Sequence, residues 1–181
     1  DIAWGLKYFW LIRGHATEGL RWYEQILSLP SLPPAAELRA LAGAAVLSYT
    51  QGDIARAGTA LNRALMLADG DGDRDVVAQA EYLSGHIAHA GGDLYAARDR
   101  FSRSLEAFRA LASASGTGNA LSGMAVIALA TGDTDEAECL LDEATLVLRH
   151  AGPWFLTWAL YVRAILAVRR KRPNEAMALA R

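Results

Sequence analysis

A glycine–aspartate pair returns three times at intervals of 40 residues, as Gly52-Asp53, Gly92-Asp93 and Gly132-Asp133. Each pair ends an apolar run and is followed, four residues past the aspartate, by an alanine: Ala57, Ala97 and Ala137. Recurrence at this length marks a repeat architecture, in which one supersecondary unit stacks on copies of itself. Weaker copies flank the three, with Gly14-His15 and Gly19 before them and Lys171-Arg172 and Ala176 after.

The pair has a local physical reading. Glycine just past a helix can take the left-handed conformation that closes its C-terminus. The aspartate then accepts from free N–H groups at the start of the next helix. Asp133 with Glu136 predicts a capping box, and Pro173 suits a first helical turn. Each copy is therefore expected to be two antiparallel helices joined by a tight turn. Small residues recur where such helices must cross: Ala45, Ala57 and Ala64, then Gly85, Ala97 and Ser104, then Ala125, Ala137 and Ala144. Bulky residues follow four positions after the alanine, at Leu61, Phe101 and Leu141, with Tyr23 in the first copy.

A lone pair cannot bury its apolar face, so the copies must stack. The expected fold is all-α, a right-handed superhelical solenoid. The spacing predicts helices over 1–13, 16–29, 35–51, 54–68, 74–91, 94–112, 117–131, 134–149, 153–170 and 173–181. They form about four and a half pairs (1–29, 35–68, 74–112, 117–149 and 153–181) in one array over 1–181. Turn-rich stretches separate the pairs at Pro30–Pro34, 69–73, Ser115-Gly116-Thr117-Gly118 and Gly152-Pro153.

Composition narrows the function. Hydrophobic residues make up 52% of the 181, enough for a core and against disorder. A net charge of -2 lacks the basic excess of a nucleic-acid-binding surface, so no direct nucleic-acid contact is expected. The single cysteine, Cys139, allows no intrachain disulfide and fits a cytoplasmic protein. No apolar run reaches membrane-spanning length, and no membrane partner is expected. The chain opens Asp1-Ile2-Ala3-Trp4 and ends inside an apparent helix, which predicts a segment of a longer protein. Abundant alanine, with only Lys7 and Lys171 as lysines, suggests a GC-rich bacterial genome.

The Gly-Asp, alanine and bulky-residue pattern resembles the tetratricopeptide repeat, stretched to about 40 residues. It is also similar to the repeat region of large actinobacterial transcriptional regulators of the LuxR type, which carry a STAND-type ATPase domain ahead of the repeats. The opening Trp10-Leu11-Ile12-Arg13-Gly14-His15-Ala16-Thr17-Glu18-Gly19 looks like the start of that region. The resemblance implies that the first helix of each pair lines a concave binding face. Carried onto this chain, that face comprises Tyr49, Tyr82, His86, His89, Asn119, Val126, Trp158 and Tyr161. Flanking positions add Trp4, Tyr8, Arg39, Val46, Gln79, Ser122, Leu129, Ile165 and Arg169. Aromatics with a few hydrogen-bonding groups suit an apolar helix or peptide, or a small ligand stacking on rings.

Chemistry-bearing motifs are sparse. There is no phosphate-binding Gly-x-x-x-x-Gly-Lys-Ser/Thr loop and no Gly-x-Ser-x-Gly elbow. Gly116-Thr117-Gly118 lacks the third glycine of a dinucleotide fingerprint, because Leu121 stands there. Asp69, Asp71 and Asp73 alternate like calcium ligands, but Arg74 and Ala80 replace the required glycine and glutamate. His86 and His89 share a helix face without the further ligands zinc needs. Neither a metal nor a cofactor is expected. Cys139 has no basic neighbour or partner histidine, and His15 and His150 sit at predicted turns. Arg169-Arg170-Lys171-Arg172 reads as a solvated helix end, with a phosphate contact as the alternative. No nucleophile is paired with a base, so a non-catalytic protein-interaction module is expected. The alternative is a small-molecule sensor binding an inducer on the concave face.

Overall fold

The computed structural model describes residues 2–68, 73–149 and 151–179, the side chains of Ala3 and Trp154 excepted. Among them are ten helices: α1 (Ile2–Arg13), α2 (Ala16–Leu27), α3 (Pro34–Thr50), α4 (Ile54–Leu67), α5 (Arg74–Ala90), α6 (Leu94–Ala110), α7 (Ala114–Thr131), α8 (Thr134–Leu148), α9 (Pro153–Arg169) and α10 (Pro173–Leu179). Each overlaps a helix expected from the spacing, although α7 begins at Ala114. Contacts divide the chain into two compact units, Asp1–Ile87 and Ala88–Arg181.

The Gly-Asp signal acts as its chemistry requires. Gly52, Gly92 and Gly132 have φ of 81°, 82° and 88°, the left-handed conformation that only glycine takes without strain. The following N–H reaches back to close the helix, as Asp133 N does to Ala128 O at 2.8 Å. Asp53, Asp93 and Asp133 then cap the next helices, their Oδ1 atoms accepting from Arg56, Ala96 and Glu136 backbone N–H groups at 3.0, 2.9 and 2.9 Å. The eroded copies keep the geometry: Gly14 has φ 74°, and Lys171 takes φ 57° where glycine would be relaxed. At Asp133 the expected reciprocal box is absent. The Glu136 carboxylate pairs with the Arg98 guanidinium of α6 instead.

Gly116 and Gly118 lie inside α7, not in a turn. The turn comes earlier, at Ala112 (φ 51°), and Ser113 caps α7 by accepting from Gly116 N at 3.2 Å. Both glycines serve close approach. A β-carbon on Gly116 would sit 2.2 Å from Phe108, and one on Gly118 would sit 2.3 Å from Leu148.

All nine small crossing residues are buried, as are Tyr23, Leu61, Phe101 and Leu141. Each bulky residue meets a complement on the first helix of the next pair, nine residues before that pair's turn position. Tyr23 fills the space over Gly43, where a β-carbon would come within 2.3 Å of its ring. Phe101 does the same over Gly123, at 2.6 Å. The smaller Leu61 packs with Leu83, and Leu141 with Val162. Ring against glycine alternates with aliphatic against aliphatic, so volume is compensated at each joint.

Candidate functional site

The first helices of the pairs supply one face in each unit. In Asp1–Ile87, α3 and α5 bring the rings of Tyr49, Tyr82 and His86 together. The His86 imidazole meets the Tyr82 ring edge-on at 4.7 Å between centroids and the Tyr49 ring at 6.0 Å. All three side chains are half-buried. Burial raises the phenol pKa of Tyr49 above its usual value. It raises that of Tyr82 further, with the nearby Tyr49 and Tyr8 phenols adding to the effect. These hydroxyls therefore stay protonated donors throughout the physiological range.

Lys7 stands beside this group and was not singled out from the sequence. Its side chain is only 3% exposed. The ammonium lies 3.4 Å from the Trp4 ring centroid and 4.3 Å from that of Tyr8, and donates to Trp4 O at 3.2 Å. Two ring faces thus take the place of water around the charge. Burial lowers its pKa to about 8, against a smaller opposing pull from Asp75. A signal did exist: Trp4, Lys7 and Tyr8 share one helical face by their spacing. Lysine there reads as solvated unless the opposing helix is known. Gln79 approaches the Tyr8 hydroxyl at 3.5 Å, and Arg39 forms an ion pair with Asp73 at 2.8 Å.

In Ala88–Arg181, Val126 on α7 and Trp158 and Ile165 on α9 pack against the same buried cluster. Tyr161 stacks on Trp158 at 5.5 Å and 26° and remains 57% exposed. Asn119 and His89 are half-buried but belong to neither ring group. Two flanking positions are corrected. Ser122 and Leu129 are buried, Ser122 Oγ donating to Gly118 O at 2.8 Å and Leu129 joining the core. The face is therefore narrower on α7 than helical spacing suggests.

The other singled-out residues resolve simply. Arg170 of the charge run is bound by Asp135, Glu138 and the Thr134 carbonyl, and Arg172 approaches Glu138 and Glu175. Those acids engage Arg170 and Arg172, while Arg169 and Lys171 are exposed. Cys139 is exposed, and His15 stacks on Phe9. Asp69, Asp71 and His150 lie outside the described residues. Among the described residues no three His, Cys, Asp or Glu side chains converge at metal-binding distance. No described helix is long and apolar enough to cross a membrane.

Residues 76–149 match a family model described as tetratricopeptide repeat. No curated protein matches the chain. Among solved structures it is similar to BtubC (BKLC) from P. vanneervenii, with a TM-score of 0.72 at 15% identity over 96% of this chain and 74% of that one. It is similar to MamA protein, with a TM-score of 0.60 at 16% identity over 98% of this chain and 86% of that one. A third is YrrB, described as a TPR protein with an unusual peptide-binding site, with a TM-score of 0.56 at 15% identity over 98% of this chain and 80% of that one. At such identities the likeness is one of fold. The chain is a helical repeat solenoid with a tetratricopeptide-like region.

Proposed function

We propose that this chain is a non-catalytic scaffold that binds a protein segment or peptide on the face formed by the first helices of its pairs. The observation that carries the reading is the Tyr49–Tyr82–His86 group, in which three half-buried rings present protonated phenols and an imidazole edge. Such a surface offers apolar area together with donors, which is what an extended peptide or amphipathic helix requires. The peptide-binding site described for YrrB supports the same use of a similar fold. Membership of a LuxR-type regulator with an ATPase domain, suggested by the opening segment, would make the partner another domain of that regulator or a protein it docks.

A peptide library displayed on phage and selected on the chain tests this directly. Selected peptides are expected to lose at least about tenfold in affinity for Tyr49→Ala and His86→Ala, an effect of about 1.4 kcal/mol. Peptides that bind both variants as tightly as the parent would sink the proposal. The second reading, an inducer-binding sensor, is favoured by one observation: the buried Lys7 ammonium held against Trp4 and Tyr8. That group places a cation and two aromatic rings together on α1. A metabolite library screened by melting temperature decides it, because a ligand at 100 times its Kd adds about 2.7 kcal/mol of stability.

A further inference from the structure

We propose that the segment bound on the first-helix face of Asp1–Ile87 is proline-rich and is held as a polyproline II helix. This rests on the reading of that face as a peptide site and names the kind of peptide it takes. The helices that carry its rings, α3 and α5, lie inside the series of pairs. His86 stands 4.7 Å from the Tyr82 ring and 6.0 Å from the Tyr49 ring, between centroids. Burial keeps the Tyr8, Tyr49 and Tyr82 hydroxyls protonated. Gln79 Nε2 donates to the Tyr8 oxygen at 3.5 Å, which leaves the Tyr8 proton to be given to another acceptor. The charges beside these groups are matched within the chain. Arg39 pairs with Asp73 at 2.8 Å, and the Lys7 ammonium is enclosed by rings and attracted by Asp75. Flat rings and hydroxyl donors are what the face has to offer.

A partner that fits must bring apolar surface together with carbonyl oxygens that are not already bonded. An α-helix has the apolar surface, but its carbonyls are spent on its own N–H groups. An extended strand has open carbonyls, yet it brings an N–H beside each one and asks the face for as many acceptors. Proline brings no N–H at all. In a polyproline II helix each three-residue turn rises about 9 Å and the carbonyls point outward without internal hydrogen bonds. Its pyrrolidine rings form apolar ridges that pack on aromatic side chains, while donors between the rings reach the carbonyls. The helix is largely formed in the free peptide, so little freedom is lost when it docks on a rigid scaffold. Of the three backbone forms, this one meets the rings and hydroxyls without adding unmet donors of its own.

A fluorescein-labelled proline decamer, titrated with the chain and read by anisotropy, is the test. It is expected to bind with a Kd of about 100 µM or tighter, and a glycine–serine decamer of equal length to show no binding in that range. Tyr49→Phe keeps the ring and removes the donor, so affinity for the proline decamer should fall about three- to tenfold. Tyr49→Ala and His86→Ala should each lower it at least about tenfold. Raising NaCl from about 50 mM to about 500 mM should change the Kd less than about twofold, because no charge pair forms. Circular dichroism guards against unfolding in the variants. A proline decamer that does not bind, or that binds Tyr49→Phe as tightly as the parent, would overturn the proposal. Phage-selected peptides that depend on Tyr49 and His86 but carry no proline runs would overturn it too, and would leave the peptide-binding reading in place. Peptides indifferent to both residues would remove the two together.

Discussion

Lys7 shows how far one side chain can depart from its usual role. A lysine is normally free to keep its charge in water, but here the ammonium is enclosed by Trp4 and Tyr8 and titrates near pH 8 instead of 10.5. Between those values the unfolded chain binds the extra proton, so this group's contribution to stability rises with pH. It is complete above 10.5 and lost as pH falls through 8. Lys7→Met is therefore expected to be more stable than the parent at pH 7, with the difference shrinking by about 1–2 kcal/mol towards pH 10. Urea unfolding of both proteins at pH 7, 8.5 and 10 measures it, and a constant gap would contradict the assignment. Ser48 makes a smaller case. Its hydroxyl is buried and has no hydrogen-bond partner among the described residues, while Ala88 and Ala128 hold the equivalent positions. Ser48→Ala should be neutral or stabilising by up to about 1 kcal/mol in the same assay.

Pairing at the joints belongs to the scale of the element. Tyr23 occupies the volume that Gly43 leaves empty, and a β-carbon at 43 would meet the ring at 2.3 Å. Gly43→Ala is expected to cost about 2 kcal/mol through overpacking. Tyr23→Leu should recover at least half of that in the double variant, because Leu61 and Leu83 show the aliphatic joint to be a working solution. A double-mutant cycle by denaturant unfolding gives the coupling directly, and additive losses would mean the two residues do not share that space. Sequence spacing placed Tyr23 and Phe101 in the core, yet it could not show what they fill. Gly116-Thr117-Gly118 illustrates the same limit. Two glycines so close read as a turn, and they became helix because Phe108 and Leu148 press against their bare α-carbons.

Stability in a stacked array is a sum of local terms and neighbour interfaces, so it should vary along the chain. Helices with a pair on both sides gain from two interfaces. Amide exchange by mass spectrometry is expected to be slowest in α7 and α8, whose small and bulky positions are fully buried. It should be fastest in α1 and in α10, which has no buried residue among those described. Strong protection at both termini at low concentration would contradict this.

Whatever is encoded at short range could be read from the chain alone. A left-handed glycine, an aspartate cap three residues before the N–H it satisfies, and small and bulky residues four apart on one helix are local facts. They set the helices, their pairing and the period. Tyr49, Tyr82 and His86 were picked out by the resemblance to tetratricopeptide repeats, which implies the positions of a binding face, and their rings do lie together. Which residues on that face are covered was a different matter. Ser122 and Leu129 were withdrawn into the core, and Lys7 was enclosed by rings. Those outcomes were settled by packing in three dimensions. Burial depends on whether a neighbouring pair is present and on the volume it brings, and that information lies about forty residues away in the chain.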